Sequence, residues 1–174
     1  MPTVTRKLEW DSGHRVLNHG GKCRHLHGHR YVAEITVEAT QLNDLGMVVD
    51  FSLIKERVGK WIDENWDHNF LAHPEDPILI LSDQPAICLS HTRKIHANAV
   101  FGDKPPFVMP PGENPTAENL AKKLFKVSRH LLIGDRLKVV KVKIWETPNC
   151  AAEYDEHDWA ADALLDKYHQ QNQP

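Results

Sequence analysis

Little in this sequence points to a membrane, a secreted scaffold or a nucleic-acid surface. The 174 residues include three cysteines, too few for a disulfide framework. No apolar run approaches the ~20 residues that span a bilayer, and the N-terminal residues lack the apolar segment of a signal peptide. The formal charge of −3 gives no overall attraction to nucleic acid. We therefore expect a cytoplasmic protein with neither a membrane nor a nucleic-acid partner.

Length and composition predict one globular domain over residues 1–174. Domains commonly contain ~100 to 200 residues, and 41% hydrophobic with 26% charged residues is typical of a chain that forms a packed core. One stretch departs from this pattern, because seven prolines punctuate residues 73–113. That stretch is far longer than the usual connection of ~4 to 6 residues. We interpret it as a long insertion at about 73–113.

Hydrophobic periodicity predicts an α+β fold. Alternating apolar residues predict strands over residues 4–11, 26–38, 46–49 and 139–146. Apolar residues at helical spacing predict helices over residues 53–65, 114–134 and 160–168. This order favours an antiparallel four-stranded sheet with two helices on one face.

Five of the twelve histidines lie close together, at His14, His19, His25, His27 and His29. Residues two apart on a strand project to the same face, so His27 and His29 can bind one ion. His14, which we place just past the end of the first strand, supplies a third ligand. Three histidines with an open fourth position are typical of catalytic Zn²⁺. The alternative is a group of ordinary surface or core histidines.

Cys23 has the surroundings of a reactive thiol. Lys22, Arg24 and His25 flank it, and such cations favour the thiolate form. The alternative is an inert cysteine that packs as a small apolar residue. Polar neighbours on both sides favour the reactive interpretation.

Two carboxylates have neighbours that suit acid–base or binding chemistry. Asp67 precedes His68, and a carboxylate beside an imidazole orients its tautomer; the alternative is a histidine that meets carbonyls at a helix end. Glu146 ends a predicted strand on the same face as apolar residues, where a carboxylate needs donors. An arginine or an aminopyrimidinone ring with adjacent N–H groups would supply them.

A basic segment without any acid runs from residue 15 to residue 30. Its cations are Arg15, Lys22, Arg24 and Arg30. Such a segment suits an anionic ligand, whereas the alternative is a solvated surface.

Six segments together resemble one family of pterin enzymes. They are DSGHRV (11–16), CRHLHGHRY (23–31), VVDF (48–51), WDHNFL (66–71), NPTAEN (114–119) and WETPNCAAEY (145–154). The chain resembles the 6-pyruvoyl-tetrahydropterin synthase family and, within it, the 6-carboxy-tetrahydropterin synthases of queuosine biosynthesis. The resemblance implies the tunnelling fold, in which subunits assemble into an oligomeric barrel as trimers or hexamers with sites between subunits.

The resemblance also implies roles for individual residues. Zinc ligation is implied for His14, His27 and His29. Cys23 is the implied proton acceptor, Asp67 and His68 form its relay, and Glu146 holds the pterin and completes the relay. Thr116 and Glu118 are implied to frame the pterin pocket.

The implied reaction converts 7,8-dihydroneopterin triphosphate and water into 6-carboxy-5,6,7,8-tetrahydropterin, acetaldehyde and triphosphate. Three residues separate Cys23 from His27, a spacing that resembles the carboxy-forming enzymes; pyruvoyl-forming enzymes usually have more. Two alternatives remain open: a pyruvoyl-forming synthase, and a non-catalytic protein that only holds zinc.

Overall fold

The structure, a computed structural model, describes residues 1–79, 87–90, 93–95 and 104–171. Its strands are β1 (Thr3–His14), β2 (His27–Ala39), β3 (Asn69–Ala72), β4 (Ile87–Ser90), β5 (Arg93–Ile95), β6 (Phe107–Val108), β7 (Leu137–Thr147) and β8 (Cys150–Asp155). Its helices are α1 (Phe51–Ile54), which continues through a π-helical segment (Lys55–Gly59) into α2 (Lys60–Asn65), then α3 (Ala117–Leu131) and α4 (Glu156–Gln171). Among the described residues, no helix is long and apolar enough to cross a membrane.

The main sheet has six strands in the order β6-β3-β1-β2-β7-β8. Strands β1, β2, β7 and β8 are antiparallel neighbours, whereas β3 pairs in parallel with β1 and β6 in parallel with β3. The α+β class is confirmed, but the prediction of a purely antiparallel four-stranded sheet is wrong. Strands β3 and β6 contain too few residues to show alternation, which is why the sequence did not reveal them.

One face of this sheet and the helices share a single apolar core. Tyr31, Ala33, Ile35 and Val37 of β2 are fully buried, and α3 packs on β7 and β8. Alternate residues of the same strand remain more exposed, as a sheet covered on one side requires. The metal-ligand candidates His27 and His29 continue this core-facing row of β2.

Several predicted boundaries shift. Strand β1 extends to His14, so His14 is the last strand residue rather than the first residue beyond it. Residues 46–49 form no strand, although Val48 and Val49 are buried. Helix α3 begins after Thr116, whose hydroxyl accepts the Asn119 N–H at 3.4 Å, and not at Asn114. The predicted insertion at 73–113 lies partly outside the described residues.

A bulge interrupts the alternation of side chains at the start of β7. The pairing of β2 with β7 shifts register between Thr36 and Val37, which inserts an extra residue into β7. Val139 is therefore buried and Val140 is partly exposed, whereas uninterrupted alternation back from Ile144 would bury Val140 and expose Val139. Beyond the bulge Val142 and Ile144 are fully buried, as predicted for the row that ends at Glu146.

Candidate metal centre and catalytic cavity

Strand pairing brings three histidines together. In the antiparallel register His14 lies opposite His27, and Ser12 lies opposite His29. One ligand atom from each of His14, His27 and His29 lies within 4.8 Å of the others. Gly28 suits the position between them, because a Cβ atom there would lie only 3.0 Å from the Ser12 carbonyl oxygen. The predicted metal ligands therefore meet in space.

Backbone carbonyls fix the tautomers of two of these rings. His14 donates from Nδ1 to the Pro115 carbonyl at 2.7 Å, and His27 donates from Nδ1 to the His25 carbonyl at 2.7 Å. A carbonyl can only accept, so each Nδ1 carries the hydrogen and each Nε2 keeps a lone pair. This is the usual way in which a protein orients a metal-binding imidazole.

Two of the ring nitrogens are buried without a hydrogen-bond partner among the residues that the structure describes. They are Nε2 of His14 and Nε2 of His29. Burial is the main cause that lowers the pKa of His14 to about 4, and neighbouring His27 and His29 lower it further despite the Pro115 bond. Burial also lowers the pKa of His29, although Glu146 opposes the shift. We therefore take both rings as neutral at pH 7.

A carboxylate faces the same nitrogens. Oε1 of Glu146 lies 3.5 Å from Nε2 of His14 and 3.9 Å from Nε2 of His29. Because both rings are neutral, these contacts are not ion pairs, and a carboxylate oxygen faces buried unpaired nitrogens. A cation among these atoms would satisfy them all. The donor set fits a divalent metal ion that accepts imidazole nitrogen.

Beside the histidines lies a cavity of about 250 Å³. Its lining includes His14 together with the predicted site residues Cys23, Thr116, Glu118 and Glu146. Cys23 lies in a single helical turn, Lys22–Arg24, and is partly exposed. Its carbonyl accepts the Val16 N–H at 2.8 Å, which ties the turn to the end of β1. The structure thus places the thiol and Glu146 on one cavity.

Asp67 and His68 do not line the cavity that contains Cys23. His68 lines a separate cavity of about 650 Å³ that reaches His27 and His29 but includes neither Cys23 nor Glu146. The side chain of His68 is 80% exposed. Within one chain, the predicted relay is therefore not brought to the cysteine's cavity.

The Asp67–His68 pair is nevertheless firmly oriented. Asp67 accepts the Asp11 N–H at 3.0 Å and Nδ1–H of His68 at 2.7 Å. Burial would raise the pKa of Asp67, but these bonds and the charges of His68 and Lys104 hold it below its usual value. His68 has φ +50° and donates its N–H to the Asp11 carbonyl at 2.7 Å. The bond to Asp67 uses Nδ1 of His68, so Nε2 is the ring nitrogen left for another partner.

Sequence reasoning missed three residues of the NPTAEN segment that support the site. The Asn114 side chain accepts the Leu17 N–H at 2.7 Å and donates to the Leu17 carbonyl at 3.2 Å. The Asn119 side chain donates to the Asn114 carbonyl at 2.9 Å. Pro115 orients His14, as described above. The only signal of these roles in the sequence is that the residues belong to one family-like segment.

Two of the four candidate cations are already paired with carboxylates. Arg15 forms a bidentate pair with the buried Asp76, with Nε to Oδ2 at 2.7 Å. Arg30 binds Glu9 and Asp11 at the exposed face of the sheet. Burial would raise the pKa of Asp76, but Arg15 and the Ile78 N–H hold it below its usual value.

This ion pair predicts a pH-dependent stability. A carboxyl group whose pKa is lowered by folding stabilises the protein above its unfolded pKa of ~3.9, and the stabilisation is lost as pH falls through the folded value. Asp76→Asn should therefore lower the free energy of unfolding at pH 7 by about 1.5–3 kcal/mol, and the difference should shrink below pH ~4. Urea unfolding at both pH values measures this effect. Glu75→Gln, at an exposed neighbour, is the control, and a loss independent of pH would contradict the assignment.

Comparisons with known proteins agree with this architecture. A family profile described as 6-pyruvoyl tetrahydropterin synthase matches residues 3–157. The chain is 41% identical over 154 residues to the 6-carboxy-5,6,7,8-tetrahydropterin synthase of Rickettsia felis, covering 88% of this chain and 99% of that protein. It is 32% identical to the protein of the same name from Aquifex aeolicus, covering 88% and 97% respectively.

Solved structures show the same fold. An uncharacterized protein from Wolinella succinogenes superposes with a TM-score of 0.68 at 23% identity, covering 89% of this chain and 98% of that one. The 6-pyruvoyl tetrahydropterin synthase of Caenorhabditis elegans superposes with a TM-score of 0.57 at 21% identity, covering 89% and 96%. On its sequence match and its fold, this chain belongs to the 6-pyruvoyl tetrahydropterin synthase family.

Proposed function

We propose that the chain is a zinc enzyme that converts 7,8-dihydroneopterin triphosphate and water into 6-carboxy-5,6,7,8-tetrahydropterin, with release of acetaldehyde and triphosphate. The observation that carries the proposal is the cavity on which Cys23, His14 and Glu146 meet. The names of the Rickettsia felis and Aquifex aeolicus relatives support the carboxy-forming product.

In this proposal each group of residues has a separate role. His14, His27 and His29 hold zinc, which when bound polarises substrate oxygens and acidifies neighbouring C–H bonds. Glu146 accepts hydrogen bonds from the pterin ring, and Thr116 and Glu118 frame that end of the cavity. Cys23 takes a proton from the substrate side chain. The Thr116 hydroxyl also caps the N-terminus of α3.

The relay of Asp67 and His68 requires a second subunit in this proposal. His68 is highly exposed and lines a cavity that excludes Cys23, so its imidazole is accessible but does not share a cavity with the thiol of its own chain. Strands β6 and β8 form the two ends of the main sheet, and pairing of such edges between subunits would close an oligomeric barrel. We propose a homo-oligomer, a trimer or hexamer, in which His68 of one chain serves Cys23 of another.

Mixing two inactive variants tests this shared site. Cys23→Ala and His68→Ala should each have little activity alone. When the two are unfolded, mixed and refolded together, some interfaces combine an intact Cys23 with an intact His68, so activity should recover to a fraction of wild type. Turnover of the mixed oligomer measures it, and either variant refolded alone is the control. No recovery in verified mixed oligomers would place both groups in one chain's site.

Product analysis tests the reaction itself. Zinc-loaded protein supplied with 7,8-dihydroneopterin triphosphate should release acetaldehyde and triphosphate in equal amounts. A pyruvoyl-forming synthase would release triphosphate without acetaldehyde, and a non-catalytic zinc protein would release neither. Either result would replace the proposed function with the corresponding alternative.

Glu146→Gln should weaken pterin binding and leave zinc in place. A carboxylate accepts charge-assisted hydrogen bonds from ring N–H groups, and those bonds are about twice as strong as neutral ones. We expect roughly a 10- to 150-fold loss of affinity for a pterin analogue, because a bond to a charged group contributes about 1.5–3 kcal/mol. Calorimetry measures the affinity, with Glu153→Gln on the neighbouring strand as the control. Unchanged affinity would assign Glu146 a structural role.

A further inference from the structure

A third cavity adjoins the catalytic one and is lined by basic groups. It has a volume of about 380 Å³, and its polar lining includes Arg15, Arg24, His19 and His25. No carboxylate is among its lining residues. The catalytic cavity, by contrast, presents the carboxylates Glu118 and Glu146. The two cavities therefore suit opposite charges.

The basic cavity continues from the catalytic one. Val16 and His19 line both cavities. Arg15 directly follows the metal ligand His14, and the His25 carbonyl binds the ring of His27. A ligand bound by Glu146 at one end and by the histidines in the middle can thus extend into the basic cavity.

Hydrogen bonds leave donors available on both imidazoles. His19 accepts the Gly21 N–H at its Nδ1, at 2.9 Å, so its neutral ring carries hydrogen on Nε2. His25 accepts Nε–H of Arg24 at its Nε2, at 3.4 Å, so its neutral ring carries hydrogen on Nδ1. Each ring therefore retains one N–H donor for an anion.

Arg24 supplies the uncompensated charge. Arg15 is balanced by Asp76, whereas Arg24 forms no ion pair among the residues that the structure describes. Lys22 likewise forms none there, but it does not line the cavity. Only one of the four candidate cations thus combines an unpaired charge with a position on the cavity wall.

Hydrogen bonds anchor the loop that carries these groups. The Val16 N–H donates to the Cys23 carbonyl at 2.8 Å, and Asn114 holds both backbone groups of Leu17. Asn18 takes φ +64°, a left-handed conformation that asparagine tolerates. A preformed cavity binds without a large ordering cost.

We propose that this cavity is the polyphosphate subsite, with Arg24 as the residue that contributes most of its affinity. The inference rests on the proposed function, because it assigns the triphosphate end of that substrate. With the ring at Glu146 and the side-chain oxygens at the histidines, the phosphates enter the basic cavity, where Arg24, His19 and His25 donate to their oxygens.

Calorimetry with inorganic triphosphate tests the subsite without any catalytic step. Arg24→Ala should bind triphosphate at least ~10-fold more weakly than wild type, since a charge-assisted bond is lost, and Arg24→Lys should recover part of the loss. Lys22→Ala is the matched control, because it removes an equal charge on the other side of Cys23 but outside the cavity. Zinc content is measured before and after each titration, because triphosphate can also chelate the metal.

The outcomes separate the subsite from the reaction. Equal loss of triphosphate affinity in Lys22→Ala and Arg24→Ala would overturn the subsite, since the overall positive charge of the segment would then explain binding. Unchanged affinity in Arg24→Ala would overturn it as well. Arg24-dependent binding by a protein that does not turn over dihydroneopterin triphosphate would sustain the anion site and overturn the proposed reaction. If both hold, Arg24→Ala should raise KM for the substrate much more than it lowers kcat.

Discussion

His29→Ala is expected to remove the bound metal ion and the enzymatic activity together. A catalytic zinc site has three protein ligands and cannot lose one while keeping tight binding. His29 contributes a buried Nε2 without any hydrogen-bond partner among the described residues, so this nitrogen is available to the metal ion. We expect zinc content to fall from about one ion per chain to a small fraction, and turnover to fall by at least ~10²-fold.

Elemental analysis of zinc content and an assay of turnover on the same purified samples test this prediction. His130→Ala, at an exposed position of α3, controls for the general effect of removing a histidine. Circular dichroism shows whether His29→Ala remains folded. A folded variant with full zinc occupancy would remove His29 from the metal centre.

Strand geometry determines one part of the metal centre, and the sequence could predict that part. His27 and His29 alternate with the same period as the buried residues of β2, so their shared face follows from the side-chain pattern alone. The sequence also offers His14 as a ligand candidate but places it just past the end of the first strand, because Ser12 and Gly13 resemble a turn. In the structure both continue β1.

The contacts that orient the ligands could not be predicted in this way. The Pro115 carbonyl that binds His14 belongs to a residue 101 positions away, and a carbonyl has no signature in the sequence. The same holds for Asn114, whose amide matches the backbone of Leu17. Such contacts depend on how α3 docks against the end of β1, which is a property of the packed core.

The two short parallel strands were missed for a different reason. Strand β3 follows Asp67–His68 almost immediately, and its parallel pairing with β1 places that pair beside Asp11. Asn69–Ala72 contains three consecutive apolar residues and no alternation. The adjacency of Asp67 and His68 therefore predicts an acid–base pair, but the sequence could not show that His68 lines a different cavity from Cys23.

Cys23→Ala should abolish most turnover while leaving zinc, fold and pterin binding in place. The thiol lines the cavity that His14 and Glu146 share, but it belongs neither to the histidine group that can hold a metal nor to the buried core. Its removal therefore deletes a chemical group without opening a core cavity or removing a ligand. Loss of a positioned acid–base group typically costs ~10²- to 10⁴-fold in rate, whereas a mere packing role would lower stability instead.

Cys150→Ala provides the matched control, because Cys150 presents a thiol to the same cavity from β8 but is exposed and lacks flanking cations. The measurement is the rate of acetaldehyde release at equal zinc content and equal folded fraction. Since Cys150→Ala removes the same atoms from the same cavity, a steep loss confined to Cys23→Ala would reflect the position of that thiol. If Cys23→Ala released acetaldehyde at the wild-type rate, the proton-accepting role would pass to His68, whose exposed Nε2 is the next available base.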